Sequence, residues 1–257
     1  MNIVEYRVKE RIGKITLNRP EKRNALSQEM VEGLKQAFDR AAKDDQVKVI
    51  VLHAAGEAFC AGADLAYLQQ LQNFSFEENL ADSNQLKALF LDIYTHPKVV
   101  IAQVQGHALA GGCGLASICD WVFAVPEAKF GYTEVRIGFI PALVSVFLLR
   151  KMGEGAAREL LLGGELISAE RAQAIGLINR VVPADNLEVE VNDFASRLIS
   201  SNSAESMKLT KKLIAEVQAI TLTQALQHAA ESNAHARGTT DCKRGIEAFL
   251  NKEKIIW

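Results

Sequence analysis

The residues of this chain whose types and spacing could do chemistry are two short glycine-bearing segments, a glutamate among aromatic and aliphatic neighbours, and a small basic cluster. The segments are Cys60-Ala-Gly-Ala-Asp64 and Ala110-Gly-Gly-Cys-Gly114. Glycine lets the backbone come close to another group, and a helix that starts in such a loop turns unpaired N–H groups and its positive dipole end toward an anion. One N–H from each segment, brought to a single oxygen, would form an oxyanion hole. Glycine pairs also serve tight packing of helix on strand, so on these residues alone both uses stand. The glutamate is Glu134, within Phe130-Gly-Tyr-Thr-Glu-Val-Arg-Ile-Gly-Phe-Ile-Pro141. Such neighbours would desolvate a carboxylate and raise its pKa toward the range useful for proton transfer. The plain alternative is a surface ion pair with Arg136. Between Asn18 and Ser27, Lys22 and Arg23 could meet phosphates, one as a point charge and one as a planar fork, or could belong to a solvated turn.

Other chemistries are excluded by what is missing. The 257 residues contain no G-x-x-x-x-G-K-[ST] phosphate loop, no G-x-G-x-x-G after a strand, no H-E-x-x-H and no G-x-S-x-G. His53, His96, His107, His228 and His235 lack metal-ligand spacing and read as structural or exposed. Cys60, Cys113, Cys119 and Cys242 form no C-x-x-C pair, so neither disulfides nor zinc is expected and a reducing compartment suits them. With 29 basic and 31 acidic residues the net charge is -2, which creates no overall field toward nucleic acid or an anionic membrane. Any anion site must be local. The first residues pass directly into strand-like alternation without the apolar core of a signal peptide. The longest apolar runs, such as Gly138 to Leu149, are too short or interrupted to span a bilayer, and the final Ile-Ile-Trp is not a peroxisomal address. A cytoplasmic protein with neither nucleic-acid nor membrane partner is expected.

The elements that must position these residues read as α/β. Glu5 to Glu10 and Gly13 to Leu17 flank an Arg11-Ile12-Gly13 turn and predict a hairpin. Ser27 then caps a helix with Glu29 in its first turn, and Met30, Leu34, Phe38 and Ala41 recur at helical spacing as a core stripe. Val47 to His53 and Val99 to Val104 are β-branched runs of the kind found in a buried sheet. Each is followed by a small-residue loop and then helical sequence, so Ala61-Gly-Ala-Asp64 and Ala110-Gly-Gly-Cys113 occupy like places in one supersecondary unit used twice. A third short strand is expected from Trp121 to Val125. From about Pro141 the pattern turns mainly helical, interrupted by the extended Gly176 to Pro183. The division expected is an α/β core over 1–199, carrying the site, and a C-terminal helical region over 200–257.

Taken together, NRPEKRNALS, FCAGADL, IAQVQGHALAGGCGLASICD, AKFGYTEVRIGFIP, AIGLINRVVP and RGIEAFLNKEK resemble the enoyl-CoA hydratase/isomerase (crotonase) family, in the family's own order and over nearly the whole chain. The resemblance implies a crotonase-type spiral of repeated strand–strand–helix units with a C-terminal helical region used in trimerisation, and a homotrimer or a hexamer built as a dimer of trimers. It implies an acyl-CoA thioester substrate, with coenzyme A as part of that substrate and no separate cofactor or metal. Carried over residue by residue, the oxyanion donors are the backbone N–H groups of Ala63 and Gly111, with Glu134 as acid/base. Coenzyme A is expected near Lys22 and Arg23 with its adenine against Ala25 and Ala61, joined by Phe249 and Lys252 of a neighbouring copy. Asp64 reads as a residue that orders a helix start.

One departure bears on the reaction. Hydratases of this family carry a second glutamate after the G-G-C of the second loop, where this chain has Gly114. Adding water across a double bond needs water activation at C3 and proton delivery at C2, for which the family uses two carboxylates, whereas a 1,3-proton shift needs one. The Δ3,Δ2-enoyl-CoA isomerase branch resembles this chain in that respect. After Ile140-Pro141 the hydratase pattern is rich in glycine, while here Ala142-Leu-Val-Ser-Val146 fills space. Isomerisation is therefore the expected reaction. The alternative is hydration of a short-chain enoyl-CoA or of 3-methylglutaconyl-CoA with a second acid from elsewhere, Tyr67, Tyr132 and Glu57 being the nearest in sequence. A homologous branch linked to RNA binding supplies a non-enzymatic alternative, which the net charge disfavours. The acyl pocket is expected among Tyr67, Leu68, Leu71, Phe74, Gly114 and Ala142, and its bulky residues suggest a short acyl group.

Overall fold

The structure, a computed structural model, describes residues 2–257. The chain opens with β1 (Val4–Lys9) and β2 (Ile12–Leu17), paired antiparallel with Val4 opposite Leu17 and Lys9 opposite Ile12. The turn is Glu10-Arg11, both at positive φ (51° and 63°), the handedness that matches the twist of the flanking strands. It falls one residue earlier than the sequence suggests, because Ile12 is drawn into the strand to bury its side chain against the core.

From β2 the main sheet grows through parallel neighbours. β3 (Val49–Ala54) lies beside β2, followed by β4 (Val99–Val104), β6 (Trp121–Ala124) and β9 (Arg180–Val181), giving the order β1-β2-β3-β4-β6-β9. Three shorter strands, β5 (Ala108–Leu109), β7 (Lys129–Gly131) and β8 (Ile167–Ser168), form a second sheet in the order β5-β7-β8. Parallel strands need crossovers and cover on both faces, and here helices supply them. α1 (Gln28–Lys43) joins β2 to β3 and buries Met30, Leu34, Ala37, Phe38 and Ala41, with Ser27 Oγ accepting the Met30 N–H at 3.3 Å as its cap. Leu65 to Tyr94 forms two helices, α2 (Leu65–Leu71) and α3 (Phe76–Tyr94), because Ser75 and Glu78 build a capping box that starts α3 afresh. α4 (Gly111–Ser117) lies between β5 and β6, and α5 (Ala142–Met152), α6 (Glu154–Gly163) and α7 (Ala169–Ala174) lead toward β9.

α8 (Leu187–Ser201) packs across β3, β4 and β6. The last three helices are α9 (Ala204–Val217), α10 (Leu222–Gly238) and α11 (Thr240–Leu250). Lys211 of α9 is buried and docks this region on the core, its ammonium donating to Asp120 Oδ2 at 2.6 Å and to the Ile93 carbonyl at 3.1 Å. The final residues fold back, with the Trp257 N–H bonded to the Ser200 carbonyl at 3.3 Å and Arg11 reaching Trp257 O at 3.1 Å. Among the described residues no helix is long and apolar enough to cross a membrane.

Candidate active site

The two glycine-bearing segments follow equivalent strands, β3 and β4, and the sheet brings them side by side. Phe59 and Cys60 donate their N–H groups to the His107 carbonyl at 3.1 and 3.2 Å, and Leu109 returns an N–H to Cys60 O at 2.9 Å. The loop over 18–27 flanks the other side. Leu26 donates to Gly62 O at 2.7 Å, Asp64 donates to Leu26 O at 3.0 Å, and Ala61 donates to Arg23 O at 3.0 Å. In such a parallel bridge the residue between the two bonds, here Ala63, points its own N–H to the opposite edge. That edge is where the second loop lies: a methyl group built on Gly62, whose φ is +91°, would sit 2.9 Å from Ala110 Cβ and 3.7 Å from the Gly111 nitrogen. Gly62 is thus glycine both for its backbone conformation and for lack of space.

Ala110 holds a left-handed φ of 50° just before α4, and its N–H is bonded to Gly131 O at 2.8 Å. Gly111 is the first residue of α4, so its N–H has no acceptor within the helix. Gly112 follows for want of room, since a Cβ there would lie 2.3 Å from Cys60 O. Asp64 is the N-cap of α2. Its Oδ1 accepts the N–H groups of Ala66 and Tyr67 at 2.9 and 3.3 Å, and its Oδ2 accepts Arg19 Nη1 at 2.8 Å. Desolvation is the largest single influence on its carboxyl and pushes upward, but those two amides and the Arg19 charge together hold it below the usual range.

Glu134 opens a short 3-10 turn, Glu134–Ile137, three residues after the Gly131 carbonyl that ties down Ala110. Its Oε2 is buried and has no hydrogen-bond partner, and Arg136 is exposed. Desolvation raises its pKa above the ordinary glutamate value. A buried carboxylate oxygen left unpaired is costly, and such oxygens concentrate where a group must take up or release a proton.

Position 114 is closed. Gly114 is buried, and a Cβ on it would lie 2.4 Å from Val144 Cγ1 and 3.2 Å from Phe90 Cε2, so α5 and α3 occupy the space any side chain there would need. Ala142, at the start of α5, is exposed. Of the other candidate acids, Tyr67 O–H donates to Asp82, Tyr132 is fully buried against Ser117 Oγ at 3.3 Å, and Glu57 is exposed. Tyr67, Leu68, Leu71 and Phe74 are half-buried in and just after α2, with Tyr67 edge-on to Phe74. Lys22 and Arg23 are exposed beside buried Ala25 and half-buried Ala61, while Phe249 is 82% exposed on α11 and Lys252 is exposed just beyond it.

Sequence reasoning passed over Asn24. It is fully buried at φ 53°, its side-chain N–H groups reach the carbonyls of Ala55 and Ala58 at 2.8 and 2.9 Å, and its oxygen accepts the Arg19 N–H at 2.9 Å. This one side chain ties the 18–27 loop to the loop that leads to Ala63. An asparagine among charged residues ahead of a helix cap was the available signal, since asparagine tolerates the left-handed region. Among the described residues no cluster of three or more His, Cys, Asp or Glu is arranged to hold a metal ion.

Two backbone segments brought side by side, with a carboxylate whose Oε2 is buried and unpartnered on the strand-and-turn segment bonded to one of them, are an arrangement that could hold a charged oxygen and move a proton. The family model described as enoyl-CoA hydratase/isomerase matches residues 7–257, and the chain belongs to that family, the crotonases. A Thermus thermophilus relative, provisionally named an enoyl-CoA hydratase, is 45% identical over 238 residues, 93% of this chain and 94% of its own. The crotonyl-CoA hydratase of Syntrophomonas wolfei is 34% identical over 247 residues, covering 95% of this chain and 94% of the relative. The crystal structure of a Mycobacterium smegmatis enoyl-CoA hydratase superposes with a TM-score of 0.92 at 32% identity, covering 99% of this chain and 98% of that one.

Proposed function

We propose that this enzyme moves the double bond of an enoyl-CoA thioester from C3 to C2, with Glu134 as its single acid/base. In this reading the backbone N–H groups of Ala63 and Gly111 receive the thioester oxygen. The Glu134 carboxylate removes a proton from C2, the electron pair delocalises onto that oxygen as a dienolate, and the same carboxyl returns the proton at C4. Two aimed donors stabilise the charge where it develops, and loss of one such donor costs about 3–4 kcal/mol in measured cases. The observation that carries the choice of reaction is position 114, where Val144 leaves no space for a second carboxylate. Coenzyme A is placed along Lys22, Arg23, Ala25 and Ala61, with Phe249 and Lys252 supplied by a neighbouring copy, and the acyl group lies against Tyr67, Leu68, Leu71 and Phe74. Lys22 and Arg23 support the placement by being exposed cations on the loop that is hydrogen-bonded to the Ala61–Asp64 segment.

A second reading, hydration, is favoured by the names of the relatives, which say hydratase. Both reactions build negative charge on the thioester oxygen, a dienolate in isomerisation and the enolate of the water adduct in hydration, and in both readings Glu134 moves the proton at C2. Removing a positioned general base typically costs about 10²–10⁴ in rate. Glu134→Gln should lower turnover, whether read as 3-enoyl to 2-enoyl conversion or as hydration, by that factor while coenzyme A thioesters still bind. A loss below about tenfold would assign Glu134 a structural role, given the size of general-base effects.

A further inference from the structure

Glu134 is placed by what precedes it. No bond fixes its Oε2, so the position of that oxygen depends on the backbone of the turn that carries it. The bonds of that turn close within it: Arg136 donates its N–H to Thr133 O at 3.0 Å, and Phe139 donates to Glu134 O at 3.0 Å. Tethers to α4 and the loop before it come just ahead of Glu134. Gly131 O accepts the Ala110 N–H at 2.8 Å. The next residue, Tyr132, is fully buried with its hydroxyl 3.3 Å from Ser117 Oγ. That hydroxyl also lies beside the Cys113 thiol. Cys113 and Ser117 are four residues apart on α4 and share a face, so Tyr132 is held against the side of that helix. Ser117 is itself fixed. Its Oγ donates to Gly114 O at 3.0 Å, which leaves it free to accept the Tyr132 O–H, and its carbonyl accepts Lys151 Nζ at 2.6 Å. α4 begins at Gly111, about 9 Å from Ser117 along the helix axis at 1.5 Å per residue. One short helix thus carries the Gly111 amide at its start and holds the neighbour of Glu134 at its end.

We infer that Tyr132 is a positioning residue for Glu134, its hydroxyl bonded to Ser117 so that the carboxylate two residues on keeps a fixed place relative to the Gly111 amide. The inference rests on the roles given to Glu134 and Gly111 under Proposed function, and adds how the two are held in register. Taking a proton from C2 while charge builds on the thioester oxygen requires base and oxygen donor to be aligned at the same moment. A displacement of about 1 Å can cost a factor of about 10² in rate. A phenylalanine ring would fill the same space, but only the O–H fixes where along α4 the contact is made. Because that hydroxyl is buried and turned to α4, Tyr132 acts through Glu134 and not on the substrate.

The test follows, across pH, whichever of a 3-enoyl-CoA and a 2-enoyl-CoA the purified full-length protein turns over, in the wild type and in Tyr132→Phe, which keeps the ring and removes the hydroxyl. kcat should fall about ten- to a hundredfold with KM little changed, because the loss is one of alignment and not of thioester binding. Desolvation raises the Glu134 pKa in the wild type. A turn released from α4 lets water reach the carboxyl, so the ionisation limb of kcat/KM should move down toward the ordinary glutamate range. A merely structural tyrosine would lower Tm and leave that limb where it stands. Ser117→Ala cuts the same contact from the α4 side and should give both signs more weakly, and the double variant should be no worse than Tyr132→Phe alone. Val191→Ala, a truncation of a fully buried residue on α8, is the control and should lower Tm without moving the limb. An unchanged kcat in Tyr132→Phe, a lowered kcat with the limb unmoved, or additive losses in the double variant would overturn the inference. If Tyr132→Phe does not fold, Ser117→Ala decides by the same two signs. Glu134→Gln separates the two readings. If it keeps full turnover, the proposed function falls and the inference with it; if it loses turnover while Tyr132→Phe behaves as the wild type, only the inference falls.

Discussion

At the scale of single residues, the site depends on what has no partner. Glu134 Oε2 is buried without a hydrogen bond, and desolvation raises the carboxyl's pKa. Such a group is held protonated to a higher pH than a free glutamate, and proton abstraction needs the ionised form. kcat/KM should therefore rise with pH through a single ionisation lying above the ordinary glutamate range, and that limb should vanish in Glu134→Gln. For stability the sign is opposite: because the folded pKa is above the unfolded one, the contribution of Glu134 is most favourable at low pH and declines as pH rises through the folded value. An activity limb at the ordinary glutamate pKa would mean that the carboxyl is solvated in the working enzyme. Glu134 was legible as a carboxylate among apolar neighbours. That its Oε2 is buried without a partner was not, because that depends on how β7 and its loop settle against the core. Nor was the Val144 contact at Gly114, which joins residues thirty apart through the packing of α5 on α4.

At the scale of elements, the proposed oxyanion geometry rests on loops that are themselves capped. Asp64 starts α2, anchors Arg19, and follows Ala63 directly. Losing an N-cap carboxylate costs about 0.5–2 kcal/mol, and in a chain of this size each kcal/mol lowers Tm by about 2–4 °C. Asp64→Ala should show that loss in thermal unfolding together with a fall in kcat, because the Ala63 amide loses its support. Asp64→Asn keeps a capping oxygen and should recover most of the stability; equal losses in both variants would place the effect in the Arg19 pair instead. The longer elements were readable from periodicity, among them α1 with its Ser27 cap and the buried runs of β3 and β4. The second sheet was not, since β5 and β8 have two residues each and exist only because the loops around the site pair with one another. The break between α2 and α3 was hidden for a related reason: both halves carry helical spacing, and only the Ser75 and Glu78 capping box separates them.

At the scale of the molecule, a single chain leaves large apolar side chains in the open. Ile137, Phe139 and Ile140 follow Glu134, Leu222 and Leu226 lie on α10, and Ile246, Phe249 and Leu250 lie on α11, each at least 52% exposed. Exposed apolar side chains in this number are what the proposed assembly would cover. Light scattering at micromolar concentration should give a homotrimer or hexamer, with Phe249 and Lys252 of one copy completing the coenzyme A site of the next, and a monomer would contradict this arrangement. The C-terminal helices were legible as helical, whereas their docking through the buried Lys211–Asp120 pair was not, because it joins positions far apart in the chain. In that pair, burial outweighs the neighbouring ammonium and pushes the Asp120 carboxyl up.

The most direct test of a one-carboxylate isomerase is to offer the purified enzyme a 3-enoyl-CoA and a 2-enoyl-CoA side by side and identify the products. The expected result is conversion of the 3-enoyl thioester to the 2-enoyl thioester, with little water added to either, and loss of that conversion in Glu134→Gln. Gly114→Glu by itself should not create a hydratase, because Val144 occupies the space its side chain would need, so the informative variant pairs it with Val144→Gly. Efficient hydration of crotonyl-CoA or 3-methylglutaconyl-CoA by the wild type would contradict the isomerase assignment.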